Sequence, residues 1–445
     1  MNGLPKLAKD AALLTGASLL MRCIGLTYQV WLAGRIGAAG IGLWQLVMSV
    51  SALSATLAIS GIRFTTTRLI SEELGCGSGN TDGAVLRCLI YGFVFGSAAM
   101  LILYFGAKPI GFLWIGDART VKSLRIIAFT MPMISLSSVV NGYFIASGQA
   151  GKTAAVQVIE QLIGVGSVML LLRQTPPGEL ELCCAAISRG NLLADAVSLL
   201  LVGSLYLLDR SRRCSGRAAK RLTLRMLRIA VPLAFSAYAR TSLTTLENLL
   251  VPRKLRAAGF SADKALGGYG IITGMVFPVI GFPSCLLSAV AELTVPELTA
   301  AQVRNDAVRI RRITARLLRL TLVFSLAAAA VLFLGADVLG RLIYHSAEAG
   351  RYIRIFSLLV PVMYMDIVTD GCLKGLGQML WSMGYNVAEA CIGVLLVITV
   401  LPRRALGGYI FVLFFCEIFN FTLSITRLQK VSGLRFFRKE KSSDS

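Results

Sequence analysis

Asn141 to Val165 reads NGYFIASGQAGKTAAVQVIEQLIGV, and 229 residues later Asp370 to Val394 reads DGCLKGLGQMLWSMGYNVAEACIGV. Eight of these 25 positions coincide, among them Gly142/Gly371, Gly148/Gly377, Gln149/Gln378, Glu160/Glu389 and Gly164/Gly393. The same offset pairs Thr65 with Thr294 and Leu69 with Leu298. Nearer the start of each half the offset is 218, pairing Ser18 with Ser236, Arg22 with Arg240, Thr27 with Thr245 and Arg35 with Arg253. An insertion of about 11 residues within 251–266 reconciles the two offsets. Self-similarity over so long a period reads as a duplicated bundle.

Each copy is built from apolar helices. Only 15% of the 445 residues are charged and 56% are hydrophobic, where a soluble domain carries about a quarter charged. Uncharged runs from Ile41 to Ile62, Cys88 to Ala107, Ile126 to Gly151 and Ala265 to Ala291 reach the roughly 20 helical residues that cross a ~30 Å hydrocarbon layer. Hydropathy predicts twelve spans, at 9–33, 40–62, 84–106, 124–148, 151–173, 183–208, 227–250, 267–292, 315–336, 353–373, 377–401 and 405–427. The expected fold is an all-α polytopic membrane protein of about twelve transmembrane helices in two six-helix bundles. An even number of spans in each half makes the repeats parallel, related by a pseudo-twofold along the membrane normal. The expected domains are an N-terminal bundle at 1–208, a basic linker at 209–226, a C-terminal bundle at 227–428 and a basic tail at 429–445.

The formal charge of +22 would suit nucleic acid, but it sits between spans and at the tail, where the positive-inside rule puts it. The strongest clusters are Arg210 to Arg228, Arg304 to Arg319 and Arg427 to Lys441. They place both termini on the cytoplasmic side of a bacterial plasma membrane, whereas Arg253, Lys254 and Arg256 in an outer loop run against the trend. Ten cysteines follow no metal or disulfide spacing, His345 is the one histidine, and no phosphate-binding glycine loop or nucleophile motif occurs. An enzyme, an ATP-driven pump, a metal site and a nucleic-acid partner are therefore not expected.

An ionisable group at bilayer depth is costly and faces a cavity or a partner. Arg22 lies midway along the first span, and Arg240 holds the matching place in the seventh. Two structural readings exist: an ion pair with Glu247, or snorkelling to an interface. The sharper one is a site for an anionic, phosphorylated group, which guanidinium grips through a planar fork of donors. Arg63 and Arg68 close the second span where Glu292 and Glu297 close the eighth, so Arg63 with Glu292 is a candidate latch. Glu160, Glu389 and Asp366 are candidates for coupling to a proton or sodium ion.

The GIRFTTTRLISEELG stretch from Gly61 to Gly75 and the ASGQ and GLGQ turns resemble the multidrug/oligosaccharidyl-lipid/polysaccharide exporter superfamily. Within it the chain is most similar to the stage V sporulation protein B group, relatives of the lipid II flippases. The resemblance implies a V-shaped pair of bundles with the first, second, seventh and eighth helices around a central cavity. It also implies that arginines on those helices hold the pyrophosphate of a polyprenyl-linked sugar, a role Arg22, Arg240 and Arg63 would take. Multidrug exporters of the superfamily often carry an acid in the first span, where this chain has Arg22. The function expected is a flippase for an undecaprenyl-pyrophosphate-linked sugar, driven by an ion gradient or the membrane potential, working as a monomer among membrane lipids. The alternatives are a proton- or sodium-coupled multidrug exporter and a non-transporting scaffold for cell-envelope or sporulation enzymes.

Overall fold

The computed structural model describes residues 4–75, 81–176, 178–210 and 222–433, and no strand occurs among them. The helices are α1 (Leu4–Ile59), α2 (Ile62–Gly75), α3 (Thr81–Pro109), α4 (Val121–Ala128), α5 (Thr130–Ala146), α6 (Ala150–Arg173), α7 (Leu180–Arg210) and α8 (Leu222–Ala257). They continue as α9 (Ala262–Gly270), α10 (Phe277–Gly281), α11 (Ser284–Val303), α12 (Ala307–Tyr344), α13 (Ala347–Ser357), α14 (Val360–Gly375) and α15 (Met379–Ser432). Among the described residues, seven helical stretches are long and apolar enough to cross a membrane, and nine are if each of two bent pairs counts as one span. Two of the longest hold two expected spans each, because α1 breaks at Gly37 (φ 69°) and α15 at Ala405 (φ 49°). Each of the twelve expected spans falls on helix. This is an all-α, multi-pass membrane protein.

The described helices pack into two compact units, Met1–Gly274 and Met275–Ser445. Residues 211–221 of the expected linker and 434–445 of the tail lie outside the described residues. The packing boundary falls after α9 rather than at the linker, because α8 and α9 lie against α1. By repeat those two helices belong to the second half, and by contact to the first unit.

Side-chain contacts fix the directions of the helices in the first unit. Lys152 meets Asp209 at 3.8 Å and Ser198 donates to Glu160 at 2.6 Å, so α7 runs antiparallel to α6. Tyr143 donates to Asp209 at 2.5 Å and Thr130 meets Asp195, so α5 runs parallel to α7. The first segment of α1 follows α6, with Gln161 donating to the Met21 carbonyl at 2.7 Å and Arg35 to the Leu172 carbonyl at 3.2 Å. Its second segment follows α5, where Ser135 donates to the Ala58 carbonyl at 2.9 Å. The chain therefore reverses at Gly37, as two separate spans require.

The repeat is legible inside each unit. Gly148 and Gly377 turn with φ of 69° and 66°, a region that costs glycine little and other residues more. The amides of Gln149 and Gln378 then close the turn on Phe144 and Leu373, both at 2.8 Å. Gly142 lies against Arg63 and Thr66, and Gly371 against Ala291. In each unit the glycine lets the helix before the turn approach a neighbour whose bulk a side chain would hold away.

Candidate functional site

A polar seam joins α1 to α8. Asn248 donates to Ser49 Oγ at 3.2 Å, Thr245 to the Ser49 carbonyl at 3.1 Å and Thr56 to Thr241 at 3.4 Å. Ser60 hydrogen-bonds both Tyr238 and Tyr91. The α8 residues involved (238, 241, 245 and 248) repeat at helical spacing, so one face of α8 lies antiparallel on α1.

Arg240 sits one residue before Thr241, and Arg63 three residues after Ser60. Arg22 follows Met21, whose carbonyl accepts from Gln161 of α6. All three are exposed, and none has an ion pair or hydrogen bond among the described residues. The pairing with Glu247 considered from sequence is not made: Glu247 is half-buried on α8 and joined by an ion pair to neither arginine. Exposed guanidinium groups with no described acidic partner leave their donors open to an anion.

The acidic candidates occupy other places. Glu160 and Asp195 line a cavity of about 640 Å³ in the first unit, together with Met21, Tyr28, Gln157 and Asn191. Asp195, a weaker buried-acid candidate from its place in an apolar span, meets both Glu160 and Thr130. In the second unit Asn420 donates to Asp366 at 3.3 Å and to Asn386 at 3.4 Å, with Glu417 near both Asp366 and Glu389. Asp366 Oδ1 and Asn420 Oδ1 are buried with no hydrogen-bond partner, which in a native fold calls for an explanation such as a bound ion.

The expected latch is a different matter. The side chain of Glu292 lies outside the described residues. Arg68 pairs with Glu72 at 3.1 Å and Glu297 with Arg309 at 3.3 Å, each within its own unit. Two clasps that the sequence did not reveal bracket the seam. At one end Arg225 of α8 reaches Glu72 at 2.6 Å and Glu73 at 3.3 Å on α2. At the Gly37 end Arg119 grips Asp117 at 2.7 Å and Asp263 of α9 at 3.1 Å, while Arg256 donates to the Gly116 carbonyl at 2.9 Å. That engagement explains why Arg256 stands where the charge trend disfavours it.

Glu73 is 6% exposed and Arg225 46%, so the Arg225 clasp contributes about 1 kcal/mol, between the exposed and buried limits. Arg225→Glu is expected to lower the melting temperature of the detergent-purified protein by about 2–4 °C. Adding Glu72→Arg should recover about half of that loss. Failure of the second change to recover anything means the pair is incidental.

The same chain can be set beside known proteins. Residues 7–290 match the family described as polysaccharide biosynthesis protein. The chain belongs to this family. Residues 254–399 of this polysaccharide biosynthesis protein family member also match MatE. Stage V sporulation protein B of Bacillus subtilis is 23% identical over 410 residues, covering 90% of this chain and 78% of that one. Lipid II flippase MurJ of the same organism is 24% identical over 169 residues, 36% of this chain and 31% of that one. The inward-facing conformation of a multidrug resistance MATE family transporter superposes with a TM-score of 0.67 at 15% identity, over 93% of this chain and 96% of that one. The likeness to that solved structure shows a shared fold.

Proposed function

We propose that this family member is a flippase, carrying an undecaprenyl-pyrophosphate-linked sugar from the inner to the outer leaflet of the bacterial plasma membrane by alternating access. The observation that carries this reading is that Arg22, Arg240 and Arg63 are exposed, with no ion pair among the described residues. A pyrophosphate bears the complementary charge and enough oxygens to accept from all three, each charge-assisted bond being worth roughly 1.5–3 kcal/mol. The likeness, over a third of the chain, to a lipid II flippase supports the same substrate class. Membrane lipid holds the polyprenyl tail, no covalent bond changes, and a monomer suffices.

Native mass spectrometry of the purified protein tests this, offering polyprenyl-pyrophosphate sugar and matched polyprenol. Wild type should retain the pyrophosphate lipid over polyprenol, and Arg22→Ala/Arg240→Ala should lose that preference. Equal retention by both proteins sinks the reading.

One observation favours a second reading, a cation-coupled multidrug exporter. The Glu160–Asp195 cavity and the Asp366–Asn386–Asn420 cluster are acid-rich and polar, as a proton or sodium site requires. Under that reading Glu160, Glu389 or Asp366 carries the coupling ion. Dye export would then stop in Glu160→Gln and survive in the double arginine variant.

A further inference from the structure

The cluster from Arg304 to Arg319 has no part in the site above. It lies in the second unit, where the first turns of α12 run beside the end of α11. A groove of about 930 Å³ opens there, lined by Arg311, Arg312, Arg316 and Arg319 of α12 and by Thr294 and Glu297 of α11. All four arginines are exposed, and none has an ion pair or hydrogen bond among the described residues. Glu297, the acid on the groove wall, is already engaged by Arg309 at 3.3 Å. Four free guanidinium groups thus face the groove with their local counter-charge taken.

The groove changes character along the helix. Arg312, Arg316 and Arg319 follow one another at i, i+4 and i+7, and Leu320 and Val323 continue the stripe. Those two are 59% and 69% exposed and line the same groove. The opposite face, with Thr314, Leu317, Leu318 and Thr321, is buried against the unit. Charge above and uncovered hydrocarbon below match a lipid lying with its headgroup at the interface and its chains alongside the helix.

The fold itself does not demand the charge. At the repeat offset of 229, the first bundle has Asp82, Gly83, Arg87 and Ile90 where the second has Arg311, Arg312, Arg316 and Arg319. One of four is basic there, though both helices start on the side that the charge bias calls inner. A purely topological role would load both helices alike.

We infer that this groove binds the phosphate headgroup of an anionic phospholipid, whose acyl chains lie along Leu320 and Val323. The guanidinium forks receive the phosphate oxygens, and a neutral zwitterionic lipid gains less because its own cation repels the cluster.

The test uses the full chain in detergent and in nanodiscs, with retained lipid read by native mass spectrometry. Phosphatidylglycerol should be retained at least about tenfold over phosphatidylcholine by wild type. Arg312→Gln/Arg316→Gln/Arg319→Gln should lose this preference, and Arg22→Ala/Arg240→Ala should keep it. A triple Lys variant, which preserves charge, should keep most of the preference and guards against a misfolded Gln variant. Inorganic phosphate at millimolar concentration should leave the phosphatidylglycerol adduct in place. Equal retention of the two phospholipids, or an unchanged preference in the Gln variant, overturns the inference. So does displacement by inorganic phosphate, which would mark a site for the free ion. Loss of polyprenyl-pyrophosphate sugar from the Gln variant with phosphatidylglycerol unaffected would assign the groove to the transported lipid and overturn it equally.

Discussion

With Arg22 and Arg240 both changed to alanine, translocation of a polyprenyl-pyrophosphate sugar in proteoliposomes should fall about a hundredfold, with the melting temperature within about 2 °C of wild type. The size follows from two lost charge-assisted contacts of roughly 1.5 kcal/mol or more each, where every 1.4 kcal/mol is about tenfold. The small thermal effect follows from the structure: neither side chain has a partner to orphan among the described residues, and both are exposed. Arg22→Lys/Arg240→Lys should recover only part of the rate, because an ammonium keeps the charge but not the planar fork. Leaflet-specific digestion of labelled sugar reads the rate. Unimpaired translocation in the alanine variant would remove the anion site from the mechanism. Equal impairment of the alanine and lysine variants would show that the fork, rather than charge, is what matters.

The candidate residues came from the sequence, and the reason is chemical. Arginine in the middle of an apolar run has few excuses, and the repeat set Arg22 against Arg240 without any alignment. The twelve helical segments and the two glycine turns at 148 and 377 were likewise written in local pattern. What stayed hidden depends on long-range registry. Arg225 finds Glu72 and Glu73 about 150 residues away, and nothing near Arg225 in a run of eight basic residues distinguishes it from its neighbours. That Asp195 shares a cavity with Glu160 is decided by the packing of α7 on α6. The packing of α8 and α9 on α1 is equally silent in sequence, because tolerance of a close helix crossing is a property of two backbones at once. Composition marks glycine at such a place but not which glycine it will meet.

That crossing carries the second large effect. A side chain on Gly42 would put its Cβ 2.1 Å from the Leu266 carbonyl oxygen, and one on Gly270 would fall 2.2 Å from the Ala38 carbonyl. The backbones of α1 and α9 touch here, beside the Arg119–Asp263 clasp. Three residues before Gly270 the geometry relaxes: a Cβ on Gly267 would stand 4.0 Å from that of Ala38, inside the ~3.5–4.5 Å window of a disulfide. Ala38→Cys/Gly267→Cys should therefore oxidise readily, provided that Cys23 and Cys391, exposed among the described residues, are first replaced by serine. If alternating access separates α1 from α9, the oxidised protein should translocate at background rate, a loss of at least about tenfold, and reduction should restore it. A covalent bond cannot be outcompeted by binding energy of a few kcal/mol, so partial activity has no place in that outcome. Translocation unaffected by oxidation would mean that the α1–α9 contact is permanent. The moving surface would then lie elsewhere, with α8 and α9 travelling as part of the first unit throughout the cycle.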